Sequence, residues 1–486
     1  MSQLYKKLVE YGKTDIYPLH MPGHKRMIED FVNPYSIDIT EIDGFDNLHH
    51  SEDILLDAQK DAAKVFLADQ TYYLINGSTS GILAAISACT TTGGKIIMAR
   101  NCHKAAYHGV LLRNLEVLYT YPHIHPKYHI NCGLNIREIE NLLIRNPDVQ
   151  SIFITSPTYE GIVSDVKKIA NLAHERGIPL IVDEAHGAHF GFHEYFPKSA
   201  NEMGADLVIQ SLHKTLPSLT QTAFLHLNGN LVSKERVEKF LGIYQTSSPS
   251  YVMMSSMERC VQLIQNQGEG LFNDYVRNLK ALNRSLDNLE NIDFLTEKII
   301  GTYGCYDFDP SKLVFFTHRC HMSGQELYDK LRNHYHLQME MVNGNQVLGM
   351  TSLMDTEEGY RRLYQGMKEI DEMLKEKDDH KKEESFEQIF LSGVKGQVAD
   401  MKIGDADEAK KMKVHLEKSE GYISGEFIYL YPPGIPILAP GEKITEEIIE
   451  LVAQYRSMGA NIQGLQDYHG NYILVVDEKM KTKIDR

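Results

Sequence analysis

Two short apolar runs, each ending in a reactive polar group, restrict this chain more than any other feature. Ile178 to Val182 leads into Asp183-Glu184-Ala185-His186, and Leu207 to Ile209 leads into Gln210-Ser211-Leu212-His213-Lys214-Thr215. Runs this short and this apolar suit strands buried on both faces of an α/β sheet. Ligands gather at the carboxyl ends of such strands. One strand therefore delivers a carboxylate, and another a lysine, to the same rim of a sheet.

The surrounding pattern supports that sheet. Strands are predicted at Tyr72 to Ile75, Lys95 to Ala99, Ser151 to Thr155, Ala205 to Ile209 and Phe224 to Leu227. Helices are predicted at Ile54 to Phe66, Gly81 to Ala88 and Val166 to Arg176. Repeated β-α alternation implies a mostly parallel sheet with helices on both faces. Beyond Glu235 the chain turns helical, with Val261 to Leu289 the longest periodic stretch, and Leu313 to Thr317 with Ser323 to Tyr335 suggest a strand and helix of a smaller domain. Met367 to Glu384, dense in Lys, Asp and Glu, reads as a solvated helix leading into a linker.

At 486 residues more than one domain is expected. We expect an N-terminal arm (1–45), a large domain (46–300), a small α+β domain (301–380) and a C-terminal α+β domain (385–486).

A third feature supplies the chemistry. Asn76-Gly77-Ser78-Thr79-Ser80-Gly81 follows a strand and opens a helix, so hydroxyls and free N–H groups meet there. Such a place suits a phosphate dianion, although a capped helix uses the same residues. Added to Asp183 and Lys214, it points to pyridoxal phosphate, which needs a lysine for its Schiff base and an acid for its pyridine nitrogen. His103, just past the strand Lys95 to Ala99, is placed to stack on a flat ring.

Other functions fit less well. Asp183 to His186 spells a helicase box, but the chain has no Gly-x-x-x-x-Gly-Lys-Ser/Thr loop to accompany it. The net charge of −16 argues against nucleic acid or an anionic membrane as partner. Six isolated cysteines suit free thiols in a reducing cytoplasm, and no apolar signal core or membrane span is visible. His186 and His189 lack a third ligand in view, so no metal is expected.

In these motifs the chain resembles the bacterial ornithine/lysine/arginine decarboxylases, whose large domain has the fold of type I pyridoxal-phosphate enzymes. The resemblance runs in order through His20-Met21-Pro22-Gly23-His24-Lys25, Asp46 to His50, Asn76 to Gly81, Arg100 to Lys104 and Ser156 to Gly161. It continues through Asp183 to His189, Ser211 to Leu216, Tyr431 to Pro436 and Pro440-Gly441-Glu442. Larger members carry an extra N-terminal wing domain; this chain resembles the shorter, wingless form.

The resemblance implies that Lys214 forms the Schiff base, Asp183 pairs with the pyridinium nitrogen and His103 stacks on the ring. Ser78, Thr79 and Ser211 would hold the phosphate, with Ala185 and Ser247 also around the cofactor, and His213 would assist proton transfer. Thr246 to Pro249 resembles a segment that reaches a neighbouring subunit's phosphate, which implies a homodimer or higher homo-oligomer with shared active sites. Glu426 and Glu442 are candidates for the distal charge of a basic substrate.

The implied reaction is decarboxylation of a basic L-amino acid in polyamine synthesis: arginine to agmatine first, then lysine to cadaverine or ornithine to putrescine. The rivals are an aminotransferase or lyase using the same cofactor, and a non-catalytic cofactor-binding regulator.

Overall fold

Seven short strands build the central sheet: β1 (Gln70–Leu74), β2 (Lys95–Ala99), β3 (Glu116–Thr120), β4 (Val149–Thr155), β5 (Leu180–Asp183), β6 (Leu207–Gln210) and β7 (Ala223–Leu227). They lie in the order β1-β7-β6-β5-β4-β2-β3. β7 runs antiparallel to both its neighbours, and the other pairs are parallel. Every residue of β5, β6 and β7 is buried, as expected where helices cover both faces. The computed structural model describes residues 3–28, 31–320, 322–375, 399–430, 434–457 and 462–477.

Register decides what reaches the rim. Asp183 closes β5 between Thr155 of β4 and Ile209 of β6. The β6 chain then passes through Ser211 into a four-residue helix, α3 below, that carries Lys214.

Helix α1 (Gly77–Cys89) begins at the turn itself, four residues before the predicted start. Its serines and alanines fit against the sheet, where every residue from Ser80 to Ala88 except Leu83 is buried. α2 (Lys104–Arg113) and β3 escaped prediction for different reasons. α2 buries residues on more than one face and so has no clean apolar stripe. β3 is an edge strand, only half buried along most of its length. After α3 (Leu212–Thr215), the long helix α4 (Tyr251–Leu286) starts ten residues earlier than predicted, because Ser250 caps it by accepting from the Met253 N–H.

Four antiparallel strands form a second sheet, ordered Asp293–Phe294, Lys312–Phe316, Gln346–Met350, Met341–Asn343. The helix Gly324–His334 packs on it, opened by a reciprocal Ser323–Glu326 capping box. The helix Glu357–Lys375 corrects the solvated reading of Met367 onward, since Leu363, Met367, Ile370 and Asp371 are buried. The Asp371 carboxylate there accepts from the backbone N–H groups of Glu290, Asn291 and Ile292. The rest of that charged run, from 376, lies outside the described residues.

The N-terminal arm is stitched into this framework: Tyr17–Leu19 pairs in parallel with Leu337–Met339. Toward the C-terminus a separate core of Leu416, Ile428, Leu438, Ile448, Val452 and Val475 is enclosed by short strands and the helix Glu446–Ser457. No helix among the described residues is long and apolar enough to cross a membrane.

Candidate active site

The turn before α1 is built to leave donors open. Gly77 sits at φ +71°, a conformation glycine adopts without strain. The N-cap residue Asn76 makes no side-chain cap; its Oδ1 instead accepts from the Thr246 N–H at 3.1 Å. The first-turn N–H groups therefore have no side-chain acceptor from the cap. Beside them the Ser78 and Ser211 hydroxyls lie 2.6 Å apart, joining α1 to the lysine segment. Thr79 is exposed at the same turn.

Asp183 and Lys214 face a shared low-dielectric interior. Asp183 is 4% exposed, and its Oδ1 accepts from the Ala185 N–H at 3.1 Å. Burial raises its pKa above the ordinary carboxylate range, while the Lys214 charge pulls it back. Burial also lowers the Lys214 pKa, with Asp183 and Glu340 opposing and Lys312 assisting. A lysine so placed gives up its proton more readily and becomes a better nucleophile.

Three imidazoles surround the amine in different tautomers. His103 caps α2, its Nδ1 accepting from the Ala105 N–H at 3.2 Å, which leaves the proton on Nε2. His213 lies with Nδ1 2.9 Å from the Thr222 carbonyl, so that nitrogen is the donor. Burial, then the nearby Lys214 charge, brings His103 down to about 3. His213 falls to about 4, chiefly through burial. Both rings are therefore neutral near neutrality. The third, His186, is the one in contact: its Nε2 lies 2.9 Å from Lys214 Nζ. The sequence reading weighed His186 only as a metal ligand; its place three residues after Asp183 was the available signal.

The arm and the second sheet complete the surroundings. Gly23 N–H donates to the His213 carbonyl at 2.6 Å. A Cβ on Gly23 would stand 2.7 Å from the Leu216 carbonyl oxygen, so the arm needs glycine to reach the lysine segment. Lys25, 4% exposed, donates to the carbonyls of His20 and Met350. Glu340 accepts from the Tyr159 hydroxyl at 2.8 Å and the Met21 N–H at 2.9 Å. Glu340 and Lys312 went unnoticed because no local motif marks them, and Tyr159, inside the Ser156 to Gly161 motif, was given no role of its own.

Two expected substrate residues have other work. The Glu426 oxygens accept from the N–H groups of Gln466 and Leu474 at 2.8 and 2.7 Å. Glu442 is buried and 3.2 Å from Arg100, which also donates to the Pro436 and Ile437 carbonyls. The C-terminal region thus holds the start of α2 rather than offering these carboxylates to a ligand. Residues 431–433 of the proline-rich segment lie outside the described residues. Ser247 is exposed, in the loop that Thr246 ties to Asn76. His189 lies 3.1 Å from Asp309, so it is a hydrogen-bond partner here.

An uncapped helix start with paired hydroxyls, a desolvated aspartate and a proton-poor lysine fit a phosphorylated pyridine aldehyde. Comparison with known proteins agrees. The family model for the Orn/Lys/Arg decarboxylase major domain matches residues 2–319, and that for the family's C-terminal domain matches 374–484. The arginine decarboxylase of Halalkalibacterium halodurans is 32% identical over 488 residues, covering 98% of both chains. The arginine decarboxylase of Bacillus subtilis is 30% identical, again over 98% of each. Among solved structures, the Francisella novicida lysine decarboxylase superposes with a TM-score of 0.77 at 20% identity, over 98% of this chain and 81% of that one. The chain belongs to the Orn/Lys/Arg decarboxylase family and is a decarboxylase.

Proposed function

We propose that this chain binds pyridoxal 5′-phosphate through Lys214 and decarboxylates L-arginine to agmatine. The observation that carries the reading is the delivery of a buried aspartate and a half-buried lysine to one rim, beside an uncapped helix start. Arginine is favoured over lysine because the relatives matched over nearly their full length are arginine decarboxylases.

Bound there, the cofactor supplies an electron sink for the pair released when the Cα–carboxylate bond breaks. The chain does the rest. The α1 N–H groups, Ser78, Thr79 and Ser211 hold the phosphate. Asp183 keeps a negative charge where the ring nitrogen needs its proton. His103, neutral, offers a flat face. Lys214, once its free amine carries a proton as the ammonium, is placed to deliver that proton to Cα after CO2 has left. Glu340, whose charge is felt by Lys214 and Lys25, replaces Glu426 and Glu442 as the candidate for the substrate's distal charge.

The assembly we propose is a homodimer with shared sites. Supporting it, the helix Gln3–Gly12 buries none of its residues, and Leu4, Tyr5 and Leu8 are all more than half exposed. Tyr35 and Val32 of the arm are also exposed, and so is the Ser247 loop beside the phosphate turn.

The test is incubation of the cofactor-loaded protein with L-arginine, L-lysine or L-ornithine, with products identified by mass. Agmatine from arginine supports the reading; amine product from lysine alone moves the substrate, and no CO2 from any of them overturns it.

A further inference from the structure

Among the described residues Lys214 has one side-chain partner at hydrogen-bond distance, and it is neither the aspartate nor the adjacent histidine. His186 Nε2 lies 2.9 Å from Nζ. His213, next in sequence, is turned to the Thr222 carbonyl at 2.9 Å. The amine keeps N–H donors in either protonation state, so we assign His186 Nε2 as the acceptor and the imidazole proton to Nδ1. That Nδ1 is buried and has no partner among the described residues, which leaves the ring free of any competing hydrogen bond.

Packing and backbone contacts hold the ring instead. The Tyr159 ring lies against it, centroids 4.5 Å apart. The Tyr159 hydroxyl is fixed by Glu340 at 2.8 Å, and Glu340 also takes the Met21 N–H of the arm. From the other side Lys312 Nζ lies 3.3 Å from the His186 carbonyl and 3.3 Å from Asp309. Lys312 and Asp309 are wholly buried, so this support is rigid.

We propose that His186 is the positioning residue for Lys214: it takes the hydrogen bond of the free amine and sets the direction in which Nζ meets an incoming carbonyl. The proposal rests on the reading of Lys214 as the imine-forming lysine. It places His186 against Lys214, where the sequence had suggested His213 as an aid to proton transfer. It also gives Glu340 and Tyr159 a purpose, since they tie the imidazole to the second sheet and the arm. The setting of the amine then depends on three regions far apart in sequence.

The experiment is the rate at which cofactor-free protein takes up pyridoxal phosphate, followed by the visible absorbance of the imine, alongside turnover. His186→Phe should load about tenfold more slowly, the scale set by one lost hydrogen bond. His186→Gln places an amide oxygen near the Nε2 position and should recover most of the loading rate, which a purely structural role for the ring would not. Should His186→Phe fail to fold, Tyr159→Phe keeps the aromatic contact, loses the Glu340 tether and should slow loading by about twofold to threefold. If the wild-type protein forms no imine, the reading of Lys214 falls and this proposal with it. If the wild type loads and His186→Phe loads as fast, or Tyr159→Phe does where the first variant does not fold, the proposal alone is overturned.

Discussion

Of the cation–carboxylate pairs in the interior, Lys214 with Asp183 and Arg100 with Glu442 are built on opposite principles. The Arg100 guanidinium is crowded with acceptors: the Tyr107 hydroxyl at 2.5 Å, the carbonyls of Pro436 and Ile437, and Glu442. The Tyr119 ring lies 5.1 Å from it. Lys214 and Asp183 influence each other only through their charges, and each has a single protein side-chain or backbone contact given above. The Arg100 pair makes several hydrogen bonds and fastens the C-terminal region to the segment that leads into α2. The Lys214 pair keeps bonding capacity in reserve, as a site that must accept and release a ligand requires. Burial alone does not separate structural from chemical pairs; how many protein partners hold the charged groups does.

Removing each carboxylate or cation should expose that difference. Lys214→Ala should eliminate the imine absorbance and bring turnover to background while the fold persists; retained turnover would move the catalytic lysine elsewhere. Asp183→Ala should still take up pyridoxal phosphate yet turn over roughly 100-fold more slowly or worse, as expected when a charge poised for the transition state is lost. A near-normal kcat would remove the electron-sink role from Asp183.

Glu442→Ala should act on stability instead. Leaving Arg100 buried without its carboxylate costs about 3 kcal/mol, visible as a lower denaturant midpoint. KM for arginine should hardly change in the folded fraction. A large rise in KM with an unchanged midpoint would return Glu442 to the substrate.

The smallest effect concerns Glu184, beside Asp183 but facing inward. It accepts from Ser199, the Ala200 N–H and Gln210, and burial pushes its pKa up to about 8. A folded-state pKa above the unfolded value means the folded protein holds the extra proton between about pH 4.5 and 8. Its contribution is therefore present at low pH and lost as pH rises through that window. Glu184→Gln should flatten that fall, on the order of 3 kcal/mol at most. A wild-type and variant with parallel stability curves would rule it out.

Much of the rim was legible because its signals are local. Asp183 and Lys214 follow apolar runs whose period marks buried strands, and Gly77 marks a turn that glycine makes without strain. β3 and α2 were not legible, the one half exposed and the other buried all round, so neither shows a period. Glu426 and Glu442 misled for another reason. A glutamate reads the same whether it meets a guanidinium ligand or a backbone N–H, and the partners Gln466, Leu474 and Arg100 lie 40 to 342 residues away.

By itself the sequence determined the architecture of the central sheet, the residues at its rim and the family, because strand periodicity and turn chemistry act over a few neighbouring residues. Only the tertiary structure decided that His186 and not His213 meets Lys214, that Glu340 and Lys25 reach the site, and that Glu442 locks Arg100. Those outcomes depend on which groups share a desolvated space, and a buried polar group takes whichever partner the packing of distant segments brings within reach.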